Sequence, residues 1–303
     1  MRRVALVLAT LGCGSGSHSP DARDASEGTD ADASSSRCDV TKPFGAPSLV
    51  EGVNTDEDDR WGWLTADERT MYFARALAGG EGFDLFTATR ATASGAFGNV
   101  TMLATSTALS EKRPVVSGDG LTLYMEYTTA AGDADLRVAT RATLTDEFSA
   151  HSSVSVDSPS SNELNPWITS DGLTLYFTSD RDGFNDIFVA TRPPTSASFS
   201  TPVAVAELNS TAGDYMGALS GDGLELFFGS SRDTNLANDD IFRATRATPS
   251  GPFGAPVKVT ELSDAATNEY PTWLSADRCQ LLLTSNRPGG PASYNIWLAT
   301  RPL

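Results

Sequence analysis

Carboxylates are the side chains best placed to do chemistry in this sequence. Five regularly spaced aspartates, Asp67, Asp119, Asp171, Asp222 and Asp277, each have an acidic residue eight positions earlier: Asp59, Glu111, Glu163, Asp214 and Glu269. An acid at all five equivalent positions is not a product of composition alone. Converging carboxylates can hold a hard cation, and calcium, which takes several oxygen ligands, is the ion such a ring would suit. Two carboxyls with pKa values pushed apart can instead serve as acid and base. Retaining glycosidases set such a pair ~5 Å apart and inverting ones ~6.5–9.5 Å apart. A third reading is structural, each carboxylate capping backbone amides of the adjacent repeat unit.

Other chemistries find little material. The two histidines, His18 and His151, do not support a His-rich zinc centre or a Ser–His or Cys–His pair. No Walker loop, dinucleotide fingerprint, cysteine metal site or Gly-x-Ser-x-Gly turn is present. The formal net charge of -17 repels phosphate backbones and argues against nucleic-acid binding. Ser179-Asp180-Arg181-Asp182-Gly183 shares some residue types with a calcium loop, but its spacing differs and no Glu closes it. His151 lies in a Ser-rich stretch and reads as solvated, and His18 reads as a linker residue.

The elements that position the acids emerge from repetition. The turn aspartates are spaced by 52, 52, 51 and 55 residues, and an Ala-Thr-Arg tripeptide ends 21 to 24 residues after each, at Arg90, Arg141, Arg192, Arg246 and Arg301. In the unit from Asn162, the Asp171-Gly172 pair between two apolar runs signals a hairpin. Leu173, Leu175 and Phe177 alternate with Thr174 and Tyr176 at the period of a strand. Further strands start near Ile187 and Phe199. Four short strands in about fifty residues, repeated around an axis, make a β-propeller.

The fifth unit stops after its third strand, at Leu303, whereas the segment from Pro43 (PFGAPSLVEGVN) matches the fourth-strand segment from Pro252 (PFGAPVKVTEL). The predicted fold is therefore all-β: a single five-bladed β-propeller over residues 39–303, with four-stranded blades, the last closed by the N-terminal strand. This closure leaves no free sheet edge between the chain ends. The acids then start the innermost strands, on the face reached by loops 75–83, 179–185, 230–239 and 285–294 and a shorter one near Thr129. Trp63, Trp167 and Trp273 share one inner-strand position and read as core between blades. Trp61 and Arg113 break the repeat and are better candidates for specific binding. The five Ala-Thr-Arg arginines read as ion pairs bracing the blades.

Units of the form S-x-D-G-x-x-L-Y-F-x-S-D-R-x-G-x-x-D-I-F resemble the WD-repeat-like propellers of the TolB-like family, over about 265 residues and all five repeats. The resemblance implies the propeller fold and an Asp-Arg pair that braces a hairpin. It implies no activity, since the α/β domain of that family is absent and propellers host many tasks.

Arg2-Arg3, the apolar run 4–11 and Gly12-Cys13 read as a signal peptide over 1–13, and its end resembles a lipobox with Cys13 as the lipidated residue. The apolar run is too short to span a membrane. Residues 14–38 hold Ser, Gly, Ala and Asp but no large apolar side chains, the composition of a flexible tether. Location would then be the periplasm or cell surface, with the membrane touched only through a lipid anchor. Disulfides persist in such compartments. Cys279 starts the second strand of the last blade and Cys38 precedes the strand that closes it, so the two should pair. The expected role is a non-catalytic scaffold for an envelope protein or peptide. The alternative is a glycan-acting hydrolase using the channel-mouth carboxylates, with a small glycan as ligand.

Overall fold

The structure, a computed structural model, describes residues 37–77, 82–233, 238–264 and 266–303. The expected signal peptide, Cys13, His18 and all but the last two residues of the tether lie outside them. The described residues contain no helix and form five four-stranded antiparallel sheets, a five-bladed β-propeller. A two-residue strand β1 (Ser48–Leu49) precedes blade 1, which comprises β2 (Asp59–Leu64), β3 (Thr70–Ala76), β4 (Phe83–Thr89) and β5 (Gly98–Met102). Blade 2 comprises β6 (Ser110–Val116), β7 (Thr122–Thr128), β8 (Ala134–Thr140) and β9 (Ser152–Ser153). Blade 3 holds β10 (Glu163–Ile168), β11 (Thr174–Ser179), β12 (Asp186–Thr191) and β13 (Val203–Ala204). Blade 4 holds β14 (Asp214–Leu219), β15 (Glu225–Ser230), β16 (Asp240–Thr245) and β17 (Val257–Lys258). In blade 5, β18 (Glu269–Leu274), β19 (Gln280–Ser285) and β20 (Asn295–Thr300) are completed by β1, which pairs with β20 through Ser48↔Leu298 and Leu49↔Trp297. The inner strands β2, β6, β10, β14 and β18 touch in sequence, and β18 touches β2.

Each inner strand carries a register shift against its neighbour two or three residues after the carboxylate. Such bulges re-aim a side chain. Trp61, Arg113 and Asn165 occupy equivalent bulge positions with φ of 56°, 52° and 50°. Trp61 and Arg113 thus depart from the repeat at the bulge, but Trp61 is not open for binding as expected: it is buried in the core between blades 1 and 2, edge to face with Phe83. Gly217, in the same stretch of blade 4, sits so close to its neighbours that a Cβ would lie 2.4 Å from the Phe227 carbonyl oxygen.

The apolar core lies between the sheets. Trp63 packs against four of the five core clusters and so joins blades across the axis. The Ala-Thr-Arg arginines brace the blades, but mostly not as ion pairs. Arg90, Arg141, Arg192 and Arg246 donate to a hairpin-turn carbonyl at 2.6–2.8 Å and lay their guanidinium groups over Phe97, Phe148, Phe199 and Phe253 at 4.3–4.7 Å. Arg301 completes the set over Phe44 at 4.3 Å and alone adds a carboxylate, Glu225 at 3.1 Å. A flat guanidinium satisfies a carbonyl and a ring face together, so four of the five need no carboxylate.

The closing blade is fastened several ways. Cys38 and Cys279 are bonded, with Cα atoms 5.6 Å apart across a separation of 241 residues. Arg37 pairs with Glu68 and Asp277, each at 2.6 Å, and holds the Asp277 carboxyl at about 2. The Asp39 amide donates to the Pro302 carbonyl at 2.8 Å. Chain lacking residues 1–13, denatured without reductant, is expected to show no reactive thiol, and two thiols per molecule would contradict the bond. Replacing both cysteines by Ser should cost up to ~3–5 kcal/mol, because the closed loop is long.

Candidate functional site

The five sequence-predicted acids sit at the heads of the inner strands, and all five are 0% exposed. Each accepts the backbone N–H of the residue four or five positions earlier: Thr55 to Asp59, Thr107 to Glu111, Ser158 to Glu163, Ser210 to Asp214 and Asp264 to Glu269. A hydroxyl adds a further bond, from Thr55, Thr107, Ser179, Ser210 or Thr267. In four blades an arginine from the end of the second strand follows. Arg75 reaches Asp59 at 2.6 Å, Arg181 reaches Glu163 at 2.9 Å, Arg232 reaches Asp214, and Arg287 reaches Glu269 at 3.4 Å. The same guanidinium groups donate to carbonyls of Val53, Val156, Leu208 and Leu262, in the linker from the preceding outer strand. Burial pushes the Asp59, Glu111, Glu163 and Glu269 carboxyls above the ordinary range, and the hydrogen bonds oppose it. No group of three or more His, Cys, Asp or Glu among the described residues is placed to hold a metal ion.

Asp180 and Arg181 brace the loop after β11: Asp180 accepts the Asn162 amide at 2.8 Å while Arg181 reaches Glu163.

Blade 2 departs from this plan. Glu111 has no arginine; its nearest cationic candidate is His151, whose Nε2 lies 3.8 Å from Oε1. His151 is not solvated as expected. Its side chain is 13% exposed and its ring lies 4.9 Å from that of Tyr127, and burial lowers its pKa. The blade's own arginine, Arg137, comes from β8. It faces Met125 where other blades pair two aromatic or apolar residues, and it binds Asp135 at 2.9 Å and Asp157 at 3.3 Å. Asp157 accepts the Leu136 amide, a role that Asn54, Ser106, Asn209 and Ser263 play for the other blades.

What the channel mouth offers instead is cationic and aromatic. Arg60 stacks on Tyr294 at 3.8 Å. Arg113 lies 4.8 Å from the Trp61 ring and pairs with Glu126 at 2.9 Å, and Lys112 stands 3.6 Å from the same carboxylate. Tyr270 donates to Asp239 at 2.6 Å, and its ring stands perpendicular to Tyr215 at 6.3 Å. Asn185 donates to the Tyr215 hydroxyl at 3.2 Å. Phe184, Asn185, Tyr215, Asp239 and Asn268 border a polar depression of about 410 Å³. Burial raises the Asp239 carboxyl and both tyrosines. Sequence reasoning placed loop 230–239, which ends at Asp239, on this face, but missed Tyr215 and Tyr270. The only signal was variability: the position after the ring carboxylate reads Arg60, Lys112, Leu164, Tyr215 and Tyr270.

These features define the class of the protein as a five-bladed β-propeller with an arginine- and tyrosine-rich mouth. No protein-family model matches the chain, and no curated protein does. Among solved structures it is similar to a protein from Agrobacterium tumefaciens assigned as TolB, at 16% identity over 76% of this chain and 71% of that one, with a TM-score of 0.50. It is also similar to the catalytic domain of a Coprinopsis cinerea GH62 α-L-arabinofuranosidase, at 13% identity over 86% and 96% of the two chains, with a TM-score of 0.56. A thermostable family-43 glycoside hydrolase aligns at 14% identity over 83% and 92%, with a TM-score of 0.52. Identities this low establish the fold alone.

Asp157 gives the pH dependence a direction. Its carboxyl is pushed up to about 7, chiefly by burial and then by Asp135 and Glu163. The native state therefore holds the proton more tightly than the unfolded chain, and stability falls as pH rises from about 4 through 7. The side chain is 17% exposed, so solvent screening discounts the effect. Asp157→Asn keeps the amide cap, and is expected to flatten the pH 5–8 stability slope and add ~1 kcal/mol at pH 8. Urea unfolding across that range measures it, and an unchanged slope would contradict the assignment.

Proposed function

We propose that this propeller is a non-catalytic binding scaffold of the bacterial cell envelope. It is exported, tethered by lipid at Cys13 to a membrane facing the periplasm or cell surface, and takes a protein or peptide partner at the channel mouth. The observation that supports this reading most is the withdrawal of the five ring carboxylates from solvent, each already engaged by backbone amides and hydroxyls. A carboxylate held this way is not free to protonate a leaving group or activate water. The mouth instead holds Arg60, Arg113, Tyr215 and Tyr270, partly engaged with acids of the same face, and these are of the types enriched where proteins bind one another. The glycan-acting hydrolase, with the ring as its acid and base, has fold likeness behind it and no accessible carboxylate pair among the ring acids.

Mild cross-linking in the native envelope, followed by recovery of the tagged full chain and mass spectrometry, tests the scaffold. A stoichiometric partner is expected from the wild type and is lost with Arg113→Glu combined with Asp239→Lys. Recovery of the chain alone, or of the same partner with the variant, would contradict the reading.

A further inference from the structure

The channel has a second end, remote from the loops, and the proposed partner face does not use it. At the bulges the channel narrows to a waist of about 30 Å³ between Trp61, Arg113, Asn165, Pro166, Gly217 and Pro271. Toward the hairpin turns it widens again into a cavity of about 220 Å³. All five blades contribute to its wall, through the last residues of their inner strands: Trp63 and Leu64, Val116, Trp167, Leu219, and Trp273. Among the described residues, no Asp, Glu, Lys, Arg or His lines it. The turn hydroxyls that border it are already engaged, Thr65 donating to Asp67 at 2.6 Å and Ser117 to Asp119 at 2.5 Å. Ala66, Gly118, Ser170, Gly221 and Ala276, one beside each turn aspartate, are all small and exposed, so the entrance stays open.

From this geometry we infer a second binding site, for a small uncharged aromatic molecule. The volume sets the size. An apolar cavity of ~150 Å³ accommodates benzene, so 220 Å³ admits one ring with a few substituents. The lining sets the chemistry. Three indole side chains offer faces and edges for ring packing, and Trp63 and Trp167 already meet edge to face with centroids 6.3 Å apart. A charged ligand would leave water without finding a counter-charge. Ligands of this size bind weakly to such sites, with Kd on the order of 0.1–1 mM.

The test is a fluorine NMR titration of the disulfide-bonded chain with fluorobenzene and, separately, 4-fluorobenzoate. Saturable binding of fluorobenzene is expected, at least tenfold tighter than that of fluorobenzoate. Gly221→Leu should weaken it at least tenfold. Gly221 borders the cavity, a Cβ there meets nothing within 4 Å and its backbone is not left-handed, so a larger side chain can be added at the rim without straining the hairpin. Circular dichroism and Tm check the fold, and Ala276→Leu, at the equivalent rim position, replaces the variant if it does not fold. No saturable binding by the wild type, equal affinity for fluorobenzoate, or undiminished binding by the folded variant would overturn the inference.

Discussion

A carboxylate without contact with water at the head of every inner strand is the constraint that orders the rest. Withdrawing an ionised carboxylate from water costs several kcal/mol unless it is neutralised on the spot. Here the neutralising groups come from separate places in the chain. The amide belongs to the linker arriving from the preceding outer strand, as does the hydroxyl in four blades, while in blade 3 the hydroxyl is that of Ser179 on the second strand. In four blades the arginine belongs to the end of the second strand. Because the arginine also holds a carbonyl of that linker, one charge joins three segments of the fold. The neighbouring bulge then brings Trp61, Arg113 and Asn165 to the channel wall while the strand keeps its place.

The same logic of shared partners closes the ring. In four blades, guanidinium and phenyl ring lie within one stretch of chain, as in Arg192 and Phe199. In the fifth they come from the two ends, Arg301 and Phe44. The Cys38–Cys279 bond and the Arg37 pairs lie beside this junction, so a break there would expose the edge of β20. The narrow waist lies between the polar mouth and the apolar cavity at the turns, which gives one channel two chemically different ends.

Much of this was legible in the sequence because repetition reports on blades directly. The turn aspartates, the Ala-Thr-Arg tripeptides and the displaced PFGAP segment were enough for blade number, strand order and closure. Counting back from Asp171 found Glu163, but position in a repeat does not tell whether a carboxylate meets solvent or an arginine at the end of the neighbouring strand. His151 looked solvated because its sequence neighbours are serines, whereas its environment is made by Tyr127 and Glu111 on other strands. Blade 2 keeps the repeat in its spacing yet leaves Glu111 without an arginine, while its Arg137 stands on β8 opposite Met125 and pairs with Asp135 and Asp157. Tyr215 and Tyr270 were hidden for the opposite reason, standing at a position where the repeat has no preference.

The claim that the acid ring is a structural latch is tested most directly by unfolding Arg181→Gln and the double variant Glu163→Gln/Arg181→Gln in urea at pH 7. Arg181 is predicted to be worth ~2–4 kcal/mol, since its loss leaves a buried carboxylate uncompensated. Neutralising that carboxylate in the double variant should recover at least ~1 kcal/mol, the coupling expected of a direct pair. If Arg181→Gln stays within ~0.5 kcal/mol of the wild type, or the double variant is no more stable than the single one, the latch is contradicted.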